Sequence, residues 1–144
     1  MKRITMKNIH TIKVAFGDTD AAGIVFYPNF YRWMDQANHE LLSKRIKPTS
    51  QLLKEGYGFP LLETHCEFKS ALFFDDIVEV HSEVVELKNK VFKVQHTFVR
   101  AEETVAFGYE VRAWTVFQDG NLKAIPISDE IRAKLGFPTE STMK

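Results

Sequence analysis

The chain has 144 residues, of which 44% are hydrophobic, which suits a single domain over residues 1–144 with a real core. Its 19 basic and 19 acidic residues cancel, and with no basic block to form a charged stripe, a nucleic-acid surface or an anionic-membrane stripe has little support. The N-terminal MKRITMKNIH lacks the apolar core of a leader, no apolar run nears the roughly 18 residues of a bilayer span, and the lone Cys66 cannot form an internal disulfide, so a cytoplasmic protein is expected.

In chain order, His10 to Phe16 alternates apolar and polar residues and reads as a short strand. The stretch FGDTDAAGIVFYPN follows, with Asp18 and Asp20 flanking one threonine just before an apolar run. From Pro28 the period changes. Phe30, Met34, Ala37 and Leu41 fall at helical spacing, and proline suits a first helical turn, so a helix is expected over residues 28–44 with Trp33 as a core aromatic. Residues 47–58, with Pro48, Gly56 and Gly58, read as a mobile connection.

Strand periodicity then dominates, over residues 59–70, 77–87, 91–101 and 105–117. In the third of these, Phe92, Val94, His96 and Phe98 share one face, as a sheet covered on one side requires. In the fourth, Val105, Phe107, Tyr109, Val111 and Ala113 alternate with Ala106, Gly108, Glu110, Arg112 and Trp114. A tight turn is expected around Asn89 and a type I′ hairpin at Asp119-Gly120, with residues 121–127 pairing back and Ser128 capping a last helix through Leu135. Five or six antiparallel strands and one long early helix make an α+β layer architecture.

Metal readings fail. Asp18, Asp20 and Gly23 imitate the start of a calcium loop, but Ala22 and Asn29 occupy later ligand positions. The five histidines form no ligand pair, and Cys66, next to His65 on a strand, reads as a buried or half-buried strand residue. Taken alone, two aspartates at a strand end are commonly turn formers and caps.

The run GDTDAAGIVFYPNFYRWMD, residues 17 to 35, resembles the signature of the 4-hydroxybenzoyl-CoA thioesterase family. The resemblance implies the hotdog fold, a curved antiparallel sheet wrapped around one long helix, and hydrolysis of a CoA thioester. It makes Asp20 the catalytic carboxylate, acting as nucleophile or as general base on water, and the backbone N–H of Tyr27 the oxyanion donor. Asp18 is left to brace the loop, and Gly23 to supply a conformation other residues resist. The family's pattern places Asp35 in a neighbouring subunit's active site against a polar group of the acyl moiety, and Lys88 and Lys90 near the nucleotide phosphates. For the two lysines, a merely solvated hairpin is the competing reading.

YPN at residues 27–29 leans toward the aromatic-acyl branch, since an aliphatic-preferring branch resembles this one but carries His where Pro28 stands. The family has a small hydroxyl residue before Pro60, and here Phe59 stands there, which points to a different acyl pocket. The hydratase pattern, Asp followed five residues on by His, is absent, since Gly23 and Val25 stand at the two positions. A non-catalytic acyl-CoA binding module of the same fold is the rival from another class. The resemblance implies no cofactor beyond the substrate's own coenzyme A, and a homodimer at least, commonly a homotetramer, because a single sheet leaves its edges open.

Overall fold

Phe30, Met34, Ala37 and Leu41 do line one face of a helix, α1 (Pro28–Arg45), in the computed structural model, which describes residues 6–139. All four are buried, together with Trp33, Asn38 and Leu42. The helix starts where Pro28 has no N–H to leave unpaired, and it ends with Lys44 and Arg45 at the negative end of its dipole. The N-terminal residues 1–5 read above lie outside the described residues.

The helix lies on a five-stranded antiparallel sheet formed by β1 (Asn8–Lys13), β3 (Leu61–Phe68), β4 (Ile77–Leu87), β5 (Val91–Arg100) and β6 (Glu103–Ala113), in the order β1-β4-β5-β6-β3. On β5, Phe92, Val94, His96 and Phe98 all face inward and are buried, as their alternation predicts. Along β6 the inward set is Ala106, Gly108, Glu110 and Arg112, while Phe107, Tyr109 and Val111 lie half-buried on the other side. Small residues are needed there because α1 crosses close by. A Cβ on Gly108 would lie 2.5 Å from the His65 carbonyl oxygen and 2.8 Å from Met34 Sδ.

Three expectations need correction. The first strand ends at Lys13, and Phe16 belongs to a 3-10 turn, Phe16–Asp18, because the Asp18 carboxylate accepts the Ala15 N–H at 2.9 Å and bends the chain. Residues 105–117 are not one strand. The run breaks at Trp114, whose side chain turns inward against Phe59 and Phe92, and the chain resumes as β7 (Thr115–Gln118) in a second sheet with β2 (Tyr57–Gly58) and β8 (Asn121–Ala124). Nor is 47–58 structureless, for it holds α2 (Thr49–Lys54) and β2. Leu52 of α2 is buried, the Thr49 N–H donates to Ser43 Oγ and Thr49 Oγ1 bonds His39 Nδ1 at 2.9 Å, which ties the segment to α1.

The chain closes with α3 (Asp129–Lys134), where Ser128 Oγ accepts the Ile131 N–H as the expected cap. Asp119 and Gly120 both have positive φ, 52° and 79°, as a type I′ turn requires. The apolar core falls into two clusters. One gathers Phe30, Trp33, Met34, Val80 and Phe98, the other Leu41, Leu42, Val84, Val94 and Trp114. Burial of each large side chain contributes about 1.5–3 kcal/mol, so both clusters bind α1 to the sheet.

Candidate active site

The loop before α1 is held by Asp18. Its carboxylate accepts the Ala15 N–H and, at 2.9 Å, Arg32 Nη2, while its backbone carbonyl accepts the Phe26 N–H and the Asn29 side-chain amide. A side chain with this many local partners braces the loop, and Arg32 is the partner that sequence reading missed. Asp20 differs. Only Oδ1 is engaged, by the Ala22 N–H at 2.9 Å, and the exposed carboxylate keeps Oδ2 free of any hydrogen bond among the described residues.

Between them the backbone closes a tight loop. The Asp20 N–H donates to the Ile24 carbonyl, the Gly23 N–H to the Asp20 carbonyl, and the Val25 N–H to Leu72. Gly23 sits at φ 81°, where a side chain is strained, and no atom stands within 4 Å of where a Cβ would project. The loop delivers the chain to Tyr27, the N-cap of α1, with helical φ −55° and ψ −33°. Among the described residues the Tyr27 N–H has no acceptor, and it stands at the positive end of the helix dipole. A cavity of about 310 Å³ opens there, lined by Ile24, Tyr27, Phe30, Phe68 and Leu72 among others.

Asp35, on α1, and Phe59, between β2 and β3, do not line that cavity, and a residue the sequence did not single out brings them together. Arg112 donates through Nη1 to the Phe59 carbonyl at 2.8 Å and through Nη2 to Asp35 Oδ1 at 2.8 Å. Nη2 also meets Glu110 Oε2 at 2.6 Å, and Glu110 Oε1 accepts from His96 Nε2 at 2.9 Å. The other ring nitrogen of His96 faces Ser82 Oγ at 2.7 Å. Burial pushes the Glu110 carboxyl up, but His96 and Arg112 outweigh it and hold the group below the usual carboxylate range. Phe59 itself is buried against Trp114, with ring centroids 5.2 Å apart.

Lys88 and Lys90 occupy a third place, the β4–β5 hairpin, where the Lys88 N–H donates to the Val91 carbonyl. Arg132 of α3 reaches across to the Lys88 carbonyl at 2.6 Å, so the turn is clamped with its lysine side chains exposed. Lys88 Nζ is 3.4 Å from Glu86. Cys66 is buried, and burial together with Glu67 pushes its thiol up to about 11, a poor nucleophile at neutral pH. Among the described residues no three His, Cys, Asp or Glu side chains group as metal ligands, and no helix is long and apolar enough to cross a membrane.

A profile of the thioesterase-like superfamily matches residues 14–135. The chain belongs to that superfamily. The loop, the Tyr27 cap, α1 and the whole main sheet after β1 thus fall within the part shared with the other thioesterases. A solved gentisyl-coenzyme A thioesterase is similar at 41% identity and a TM-score of 0.80, over 89% of this chain and 98% of that one. A 4-hydroxybenzoyl-CoA thioesterase of Pseudomonas sp. (strain CBS-3) is 28% identical over 134 residues, 88% of this chain and 92% of its own length. A putative esterase of Aquifex aeolicus (strain VF5) is 31% identical over 121 residues, 84% of this chain and 93% of its own. The hotdog fold and the thioesterase family expected from residues 17 to 35 are therefore the ones found.

Proposed function

We propose that this thioesterase hydrolyses an aromatic acyl-CoA, with Asp20 as nucleophile or general base and the Tyr27 N–H as oxyanion donor. The observation that carries the reading is that the loop leading into α1 bears a carboxylate with a free oxygen and ends at Tyr27, whose backbone N–H has no acceptor among the described residues and which lines an apolar cavity. A thioester carbonyl oxygen at that N–H would gain the donor and the helix dipole as negative charge develops on it. Asp20 then takes the proton of a water that attacks the carbonyl carbon, or itself attacks that carbon to form an acyl-aspartyl anhydride that water hydrolyses; in either case the C–S bond breaks, the departing thiolate takes up a proton as coenzyme A leaves, and the acyl group is released as a carboxylic acid. No cofactor takes part.

The aromatic preference rests on Tyr27, Phe30 and Phe68 around the cavity and on similarity to thioesterases for gentisyl-CoA and 4-hydroxybenzoyl-CoA. Hydrolysis in water enriched in heavy oxygen tests it. Aromatic acid carrying the label, with one equivalent of free coenzyme A, is the expected product, and binding without labelled acid contradicts the reading.

Lys88 and Lys90 would meet the nucleotide phosphates, far from the breaking bond. Lys88→Ala with Lys90→Ala is expected to raise KM for a CoA ester roughly tenfold while kcat changes little. Steady-state kinetics with an acyl-pantetheine analogue as control decides it, and a collapse of kcat at constant KM removes the lysines from the phosphate site.

An exposed sheet edge supports a homodimer. β3 carries Leu61, Leu62 and Phe68 at 47%, 58% and 46% exposure on an unpaired sheet edge. Two copies joined there would form a homodimer, itself able to pair into a tetramer. Sedimentation showing only monomer would contradict this.

A further inference from the structure

Arg32 stands one turn into α1 and reaches back to the loop that precedes the helix. Its Nη2 donates to Asp18 Oδ1 at 2.9 Å and to Asn29 Oδ1 at 3.2 Å, and its Nε donates to the same Asn29 oxygen at 3.3 Å. The Asn29 side-chain amide in turn donates to the Asp18 carbonyl at 2.9 Å. Arg32, the Asp18 carboxylate, the Asp18 carbonyl and Asn29 thus close a ring between the loop and the first turn of α1.

That ring converges on one peptide group. The Asp18 carbonyl that accepts Asn29 also accepts the Phe26 N–H at 2.8 Å, and the Phe26 carbonyl accepts the Asn29 N–H at 3.0 Å. The Phe26–Tyr27 peptide is trans, so its N–H points opposite to its carbonyl. With the carbonyl turned into the helix, the Tyr27 N–H is turned out of it. Folding stability is a poor account of the arginine, because its side chain is 52% exposed and ion pairs open to solvent contribute little.

We infer that Arg32 is a positioning residue that, through Asp18 and Asn29, fixes the Phe26–Tyr27 peptide so that the Tyr27 N–H faces the thioester oxygen. A donor stabilises a developing oxyanion only where it is already aimed at it, and a hydrogen bond weakens steeply as its angle closes. The guanidinium suits the task because its rigid fork meets the Asp18 and Asn29 oxygens together, which a flexible ammonium does not. The inference rests on Tyr27 as the oxyanion donor and adds to that reading the residue that aims it.

The test has a kinetic and a spectroscopic arm. Steady-state hydrolysis of 4-hydroxybenzoyl-CoA is measured beside a thermal melt for the parent, Arg32→Ala, Arg32→Lys, Asn29→Ala and the Arg32→Ala/Asn29→Ala pair. Arg32→Ala is expected to lower kcat about tenfold, less than the roughly 10²- to 10³-fold lost with a whole donor, while KM stays within about twofold. Arg32→Lys should recover part of that loss, and the pair should lose no more than Asn29→Ala alone. The second arm uses the same ester carrying carbon-13 at the thioester carbonyl, bound to Asp20→Asn, and reads the carbonyl stretch by infrared difference. A hydrogen bond to the oxygen lowers that frequency. The downshift is expected in Asp20→Asn and should shrink when Arg32→Ala is added, a change that displacement of the absent carboxylate cannot produce.

A merely structural role would lower Tm and leave the bound carbonyl frequency where it was, and that result overturns the inference while Tyr27 keeps its role. So does an Arg32→Ala variant with the kcat of the parent. No downshift in Asp20→Asn itself overturns the oxyanion reading and the inference with it.

Discussion

Asp20→Asn is expected to lower kcat for the preferred aromatic ester by about 10²- to 10⁴-fold, the range that a positioned base supplies, with Tm and coenzyme A binding close to those of the parent. The asymmetry follows from the contacts. The Asp20 side chain makes one local bond, from the Ala22 N–H, and an asparagine Oδ1 can accept it equally well. What the amide lacks is the charge and basicity of the second oxygen, which nothing else in the loop engages. The loss corresponds to about 3–5 kcal/mol of transition-state stabilisation. Rates measured beside a thermal melt separate the two effects. A variant that melts far lower than the parent would mean that Asp20 is a second brace like Asp18.

The largest expected effect on stability is at Gly108. Valine there would drive its Cβ into the His65 carbonyl of the neighbouring strand, at 2.5 Å, and toward Met34 Sδ, at 2.8 Å. The sulfur can swing aside, but a backbone carbonyl cannot move without breaking the β3–β6 ladder, where Gly108 is the register partner of Cys66. The cost is expected to be about 3 kcal/mol or more, above the common range for overpacking because backbone must yield. Because β3 is also the open edge proposed to join two copies, dimerisation should weaken with it. Denaturant unfolding of Gly108→Val at several protein concentrations measures both. A midpoint within experimental scatter of the parent's would show that the β3–β6 ladder can yield at His65 without cost.

Much of this architecture is legible in the residues, and the reasons are physical. The stripe of Phe30, Met34, Ala37 and Leu41 announces α1 because a helix on a sheet must bury one face, and Phe92, Val94, His96 and Phe98 announce the inner face of β5 for the same reason. β6 hides its orientation. Phe107, Tyr109 and Val111 look like the buried set, yet the inward side is Ala106, Gly108, Glu110 and Arg112. Periodicity finds the two sets but not which is inside, since that depends on how closely α1 passes over Gly108 and on charges that neutralise one another. The glycine at 108, which faces the helical Met34, is the available clue.

The break at Trp114 was hidden likewise. Alternation continues through it in sequence, and only the second sheet, with the pull of Phe59 and Phe92 on the indole, redirects the strand. At the site, the dense motif marks Asp20, Gly23 and Tyr27, whose geometry is local. Arg112 escaped notice because its role comes from contacts with residues 53 and 77 positions away in the chain. No local pattern carries such a signal.

The central claim is that the α1 N-terminus turns over an aromatic CoA thioester rather than merely holding one. Its most direct measurement is thiol release by the parent protein from a panel of benzoyl-, hydroxybenzoyl-, dihydroxybenzoyl-, phenylacetyl- and straight-chain acyl-CoA esters. The account predicts many turnovers per protein chain, with a hydroxylated aromatic ester the fastest. Stoichiometric binding of those esters with no thiol released would contradict it and make the protein a binding module built on a thioesterase fold.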